Sequence, residues 1–278
     1  MERIPFGVRQ LDTIVNGGAP TGSVVLLAGE AGAGSREFVH TSALLNGLGT
    51  VGDDLYDLYY GEPGAEATQA DAVHYISFTD SEAELAEEMR LAMDDDVVDR
   101  GLDLVEFHDM SERYFHVSPV PREWYAEKTR TITDLRQRSD REDLLGALGS
   151  TLSDVAPGNL VVIDSLSDLI ATRTEEVDWA DINFLVKGLQ KAAHEWDGLI
   201  LLHLNHETLT PTEFGQLSEA VDGTMHFEWE SGGSTRARTL VVKQFRGVLS
   251  QIEDEDIVRF ETDIGDAGFD ISDVRKIR

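Results

Sequence analysis

Ser23-Val-Val-Leu-Leu-Ala28, followed by Gly29-Glu-Ala-Gly-Ala-Gly34-Ser35-Arg36, decides the fold of this chain. The first six residues carry no charge and read as a strand buried on both faces. The glycine-rich turn opens into Glu37–Asn46, whose apolar spacing predicts a helix. Strand, glycine-rich turn and helix in that order make a cradle for an anion, because backbone N–H groups and a helix N-terminus converge on one point. The full phosphate-binding pattern is G-x-x-x-x-G-K-[ST], and Gly29, Gly32 and Gly34 supply its frame. Ser35 stands at the Lys position and Arg36 at the Ser/Thr position. Ser35 removes an ammonium whose contact with phosphate is worth roughly 1.5–3 kcal/mol. Arg36 puts a cation where a neutral Mg²⁺ ligand belongs, which repels the metal. The first lysine of the chain is Lys128, so no neighbour in sequence replaces the missing one. Two readings stay open: Arg36 reaches a phosphate itself, or the loop only joins a strand to a helix.

Outward from this stretch, short apolar runs alternate with helical patterns, as in a parallel sheet with crossover helices. Val73–Phe78, a weaker Leu104–Phe107, Asn159–Ile163 and Leu199–Leu204 read as strands. Ser81 and Glu84 form a capping-box pair ahead of Leu85, Met89 and Met93. Ile182, Leu185, Leu189 and Trp196 mark one face of a helix that Gly198 stops. Near the end, Met225–Glu230 and Arg238–Lys243 flank Ser231-Gly-Gly233, a hairpin signal, and Val258–Glu261 adds a strand. The fold class expected is α/β, with a mostly parallel central sheet flanked by helices and a C-terminal antiparallel hairpin. A single domain over residues 1–278 is expected, with insertions at about 47–72 and 108–141, where the alternation breaks down.

The 278 residues are 41% apolar, enough for a large core, and carry 53 Asp+Glu against 23 Lys+Arg, a formal net charge of −30. Only five of the basic residues are Lys. The regular strands argue against a disordered acidic chain. Without cysteine there is no disulfide framework, thiolate metal site or thiol nucleophile. The longest apolar stretches fall short of the ~18–20 residues of a membrane span, and no charged-then-apolar leader precedes Ile4, so a soluble cytoplasmic protein is expected.

Arg3-Ile-Pro-Phe-Gly7, Leu11-Asp12, Asn16-Gly-Gly-Ala-Pro20 and Gly22–Gly29 resemble the opening of the RecA-superfamily ATPases of the KaiC and RAD55/RadA type. The similarity resumes at Val73–Asp80, Asn159–Leu166, Leu199–His206 and Leu240–Gly247. With the acidic composition, the chain looks most like the haloarchaeal members labelled HTR-like proteins. The resemblance implies a RecA-like P-loop fold, an ATP/Mg²⁺ site, and assembly into a homo-oligomeric ring. It makes Asp164 the acid that holds the water shell of Mg²⁺; the alternative is an N-cap for the following turn. It puts the water-activating glutamate pair at Thr79-Asp80, where Thr79 cannot be a base at neutral pH and Asp80 is one methylene short. Asp80 with Ser81 also reads as a helix start. The Lys-x-Arg-Gly that reaches a neighbouring subunit's phosphates corresponds to Gln244-Phe245-Arg246-Gly247, so Arg246 is retained while Lys243 points to the other strand face.

With the phosphate lysine and metal hydroxyl, the water-activating acid and the trans cation pair all altered, no residue stands as a confident catalyst, and ATP/Mg²⁺ binding is in doubt. A regulatory or scaffolding protein with an unknown protein partner, related to signalling, is the leading expectation. A rearranged ATPase using Arg36 or Arg246 is the alternative, and a recombination mediator comes third. His203 and His206, three apart with no third ligand in view, are a weak metal signal. No nucleic acid is expected as a partner, because Ala192–Thr235 contains no Lys or Arg and nucleic-acid affinity is drawn from cations. A charge of −30 strains any fold whose self-repulsion is unscreened, and the Debye length falls from ~30 Å to ~3 Å between about 0.01 and 1 M salt. Far-UV circular dichroism should therefore show loss of secondary structure on dialysis from about 3 M to about 0.05 M KCl, and an unchanged spectrum would contradict this halophilic reading.

Overall fold

A computed structural model of the chain describes residues 2–116, 118–125, 144–172, 178–232, 235–248 and 257–276. The strands are β1 (Arg3–Ile4), β2 (Ala19–Pro20), β3 (Ser23–Gly29), β4 (Val73–Ser77), β5 (Val105–Asp109), β6 (Leu160–Asp164), β7 (Leu199–Asn205), β8 (Gly223–Gly232), β9 (Thr235–Phe245), β10 (Ile257–Gly265) and β11 (Gly268–Lys276). The helices are α1 (Arg9–Ile14), α2 (Ser35–Val51), α3 (Asp54–Tyr59), α4 (Glu82–Arg90), α5 (Asp95–Leu102), α6 (Ser111–His116), α7 (Leu144–Val155), α8 (Leu166–Ala171), α9 (Trp179–Trp196) and α10 (Pro211–Glu219).

Nine strands form one sheet in the order β11-β10-β9-β8-β3-β7-β6-β4-β5. The pairs from β8 through β3, β7, β6 and β4 to β5 are parallel, and β8, β9, β10 and β11 run as an antiparallel meander. This is the expected α/β architecture, with the strand at Val258–Glu261 extended into the β10/β11 hairpin. Sequence alone does not single out β11, although Phe269 and Ile271 are buried while Asp270 and Ser272 are exposed, a period of two. The tip of the β8/β9 turn at Gly233 lies outside the described residues, as do most of 108–141 beyond residue 125 and the centre of the Thr172–Asp178 loop.

Helices cover both faces of the sheet. Along β3, Val25 and Leu27 pack into one core with Phe38, Leu44 and Leu48 of α2, whereas Val24, Leu26 and Ala28 face Leu169 of α8, Ile182 and Val186 of α9 and Leu217 of α10. Burial on both faces is why β3, β6 and β7 are continuous apolar runs and not alternating ones. α2 runs longer than the expected Glu37–Asn46, starting at Ser35 and continuing to Val51. Ser81 caps α4 in the expected capping box. α9 ends on Asp197 in the left-handed conformation, one residue before the Gly198 that marks the stop in sequence. Among the described residues no helix is long and apolar enough to cross a membrane.

The segment 47–72 holds α3 and buries Tyr56 and Tyr60, which stack with ring centroids 4.8 Å apart. Tyr60 OH donates to Asp12 at 3.1 Å, and the Phe6 and Gly7 amides donate to the same carboxyl at 2.8 and 3.0 Å. Asp12 thereby ties the N-terminal segment, α1 and the turn after α3 together.

Burial pushes the Asp12 carboxyl up to about 7, against the opposing pull of these donors. The folded chain then holds this proton to a higher pH than the unfolded chain, so the contribution is full below about pH 4 and is lost as pH rises through about 7. Thermal melts at fixed molar KCl should show the wild type losing up to roughly 4 kcal/mol across that window relative to Asp12→Asn, whose amide does not titrate. Parallel pH profiles for the two proteins would refute this.

Candidate functional site

The carboxyl ends of β3, β4, β6 and β7 meet at one edge of the sheet, the position where open parallel sheets bind ligands. A cleft of about 390 Å³ lies there, lined among others by Gly29, Gly34, Thr79, Asp80, Asp164 and His203. The turn after β3 enters α2 through Gly34 at φ 104°, a conformation that a side chain would strain. Gly29 is required for a different reason: a Cβ there would lie 2.1 Å from Ser35 Oγ. The Ser35 side chain is thus folded back over the end of β3.

The turn is held by residues of this chain. Trp229 Nε1 donates to Ala31 O at 3.1 Å, Arg238 Nε to Gly32 O at 3.1 Å, and the Arg238 guanidinium lies over the Trp229 ring. The amide of Ala31 donates to Glu207 Oε2 at 3.1 Å, so a carboxylate of the chain sits on a donor of the anion cradle.

Arg36 points from the first turn of α2 into a ring of acids. Its Nη2 lies 2.5 Å from Asp80 Oδ2, 3.1 Å from Glu88 Oε2 and 3.6 Å from Asp164 Oδ2. Burial alone would pull this guanidinium down, but Asp164, with Tyr75, Glu88 and Asp80, holds it well above its ordinary range. The acid ring therefore already contains a cation, and Mg²⁺ does not fit beside it. Asp80 pairs with Arg36, and Ser81, not Asp80, caps α4. Thr79 lines the cleft next to it.

Asp164, at the end of β6, is buried and binds through both oxygens. Oδ1 meets His203 Nδ1 at 2.7 Å, and Oδ2 accepts from Tyr75 OH at 2.6 Å. Desolvation would raise this carboxyl, yet the hydrogen bond from His203, the charge of Arg36 and the Tyr75 hydroxyl hold it well below the usual range. The N-cap of α8 is Ser165, in a capping box with Asp168, so Asp164 is not that cap. The far ring nitrogen of His203, Nε2, lies 3.2 Å from Ser35 Oγ. His40, on α2 beneath this cluster, is buried and driven down to about 3 chiefly by desolvation, which keeps it neutral.

Lys243 and Arg246 do not line the cleft: Lys243 Nζ is 3.6 Å from Glu228, and Arg246 Nη1 is 3.4 Å from Asp222. His203 and His206 do not form a metal cluster among the described residues. The trio that comes together is His74, Glu106 and His108 on β4 and β5. Asn159 orients it, because its Oδ1 accepts from Ala72 N and its Nδ2 donates to Val155 O, aiming N–H at His74 Nε2, 3.2 Å away. The His74 proton must then sit on Nδ1, facing His108 Nε2 at 3.1 Å. The nitrogen that would bind a metal carries a hydrogen bond instead.

No family model matches the sequence, and neither does any curated protein. Among solved structures, the crystal structure of a KaiC-like protein from the hyperthermophilic archaeon Pyrococcus horikoshii is similar over 98% of this chain and 99% of that one, with a TM-score of 0.62 and 16% identity. At that identity the likeness establishes the fold, a RecA-like one.

Removing the Asp164 charge leaves Arg36 with two acids instead of three and His203 without its anionic partner. Asp164→Asn should lower thermal stability by about 3 kcal/mol at neutral pH in molar KCl. The carboxyl is depressed in the fold, so its contribution is present above about pH 4 and is lost as pH falls. The deficit of the variant should shrink on acidification, and a pH-independent deficit would count against this assignment.

Proposed function

We propose that this chain is a RecA-type P-loop-fold protein with a degraded ATP site, acting as a regulatory or scaffolding protein, related to signalling, with weak or no ATPase activity. The observation that carries the reading is the Arg36 guanidinium lying among Asp80, Glu88 and Asp164. Catalytic phosphoryl transfer in this kind of fold needs a metal bridging the phosphates and a cation on their oxygens. Here a cation of the chain already sits among the acids, and the loop amide of Ala31 is engaged by Glu207. A nucleotide would have to displace both contacts. It would then meet Ser35 in place of the lysine and Thr79 in place of a general base.

The alternative, an ATPase in which Arg36 or Arg246 replaces the lysine, is less well supported, since each is paired to carboxylates of its own chain. The same pairing of Arg246, with that of Lys243 to Glu228, weakens the case for cations acting across a ring. The haloarchaeal HTR-like assignment, cytoplasmic location and an unidentified protein partner belong to this reading. A recombination mediator is disfavoured by the cation-free stretch from Ala192 to Thr235.

Calorimetric titration with ATP in molar KCl should give weak binding that Mg²⁺ does not tighten, with hydrolysis at background. Ser35→Lys combined with Arg36→Thr and Thr79→Glu should restore Mg²⁺-dependent binding first. Robust hydrolysis by the unmodified protein, abolished by Asp164→Asn, would overturn the proposal in favour of the rearranged ATPase.

A further inference from the structure

We propose that Ser35, His203 and Asp164 form a nucleophilic triad that hydrolyses small esters without negative charge. This goes beyond the scaffolding reading and is independent of whether nucleotide enters the cleft. Each link has the geometry that the chemistry requires. Asp164 Oδ1 and His203 Nδ1 are 2.7 Å apart. A carboxylate only accepts, so the Nδ1 proton is donated to Asp164, and in the neutral ring Nε2 is left as a lone-pair acceptor. Ser35 Oγ lies 3.2 Å from that nitrogen, within reach for O–H donation to it. The ring is oriented by an acid whose second oxygen is occupied by Tyr75 OH at 2.6 Å, so Asp164 cannot swing away from His203.

The setting of Ser35 matches the task. It follows a central strand and a sharp glycine turn as the first residue of α2, and the missing Cβ of Gly29 leaves room for its hydroxyl over the strand end. The first helical hydrogen bond of α2 runs from Phe38 N to Gly34 O. The amides of Ser35, Arg36 and Glu37 thus have no carbonyl partner within the helix, and as free donors at the first turn beside Ser35 they are the groups that would receive the charge developing on a carbonyl oxygen attacked by Ser35. Glu30, Glu37, Asp80, Glu88 and Asp168 line the same cleft beside the single cation Arg36, which selects against an anionic acyl donor.

The reaction balances with water as the only co-substrate. Ser35 Oγ bonds to the ester carbonyl carbon while its proton passes to His203 Nε2. The carbon–oxygen bond to the alcohol breaks, and the leaving oxygen takes that proton. Water then attacks the acyl-serine, His203 accepts its proton and returns it to Ser35 Oγ, and the acid leaves.

Diisopropyl fluorophosphate, a small uncharged serine-directed reagent, tests the triad on the full chain in molar KCl. Intact-mass analysis should show one adduct, mapped to Ser35 by peptide sequencing and absent from Ser35→Ala. His203→Gln should slow adduct formation at least ~100-fold with an unchanged far-UV spectrum. p-Nitrophenyl acetate should be turned over by the wild type and lost in both variants. No adduct on folded wild type, an adduct elsewhere, or labelling of Ser35 at an undiminished rate in His203→Gln would each overturn the proposal. ATP titration and hydrolysis are separate readouts, so failure here is distinguishable from failure of the scaffolding reading.

Discussion

The buried carboxylate of Asp164 is the constraint around which this edge of the molecule is organised. An ionised acid that is nine-tenths or more out of water is tolerated only when its lone pairs and charge are matched. Three partners from three elements do so: Tyr75 from β4, His203 from β7 and Arg36 from α2. Each is thereby fixed. Tyr75 is held protonated, the Nδ1 proton of His203 is fixed toward Asp164, and Arg36, half-buried, is drawn in among the acids. The geometry of the cleft follows from satisfying one charge.

Ser35 and Arg36 make sense together in this light. A lysine at 35 would put a second cation beside Arg36, and a threonine at 36 would leave Asp80, Glu88 and Asp164 facing one another with no counter-charge. Ser35 with Arg36 resolves both problems without an external ion. The loop amide on Glu207 belongs to the same pattern, an internal anion where an external one would bind. Cation and anion are thus both supplied by the chain, at places where the ordinary phosphate-binding loop relies on its ligand.

The sheet was legible in the sequence because strands buried on both faces are uncharged runs, and Val24–Ala28, Leu160–Ile163 and Leu199–Leu204 stand out in so acidic a chain. Asp164 was legible because it ends such a run. The Arg36 cluster was not, because its acids come from β4's end, α4 and β6, and no local pattern links residues 36, 80, 88 and 164. Glu88 was missed for that reason: on α4 it reads as one more solvent-facing acid in a helix full of them. The contact of His203 with Ser35 was equally hidden, since only the register of β3 against β7, with Leu27 opposite His203, brings that ring under the start of α2. Spacing alone made His203 and His206 only a weak metal pair, and the structure puts His203 on β7 and His206 in the 3-10 turn after it.

The overall acidity and the acid-lined cleft have different physical status. Charges spread over the surface are screened beyond a few ångströms in molar salt and lose most of their mutual repulsion there. Those around Arg36 are within 4 Å of it and partly withdrawn from water, so salt weakens them far less. The cleft therefore keeps its field under conditions that flatten the field of the surface. The Arg36 site is distinguished from the rest of the surface by burial and not by the sign of charge, which is why net charge alone said nothing about where it lies.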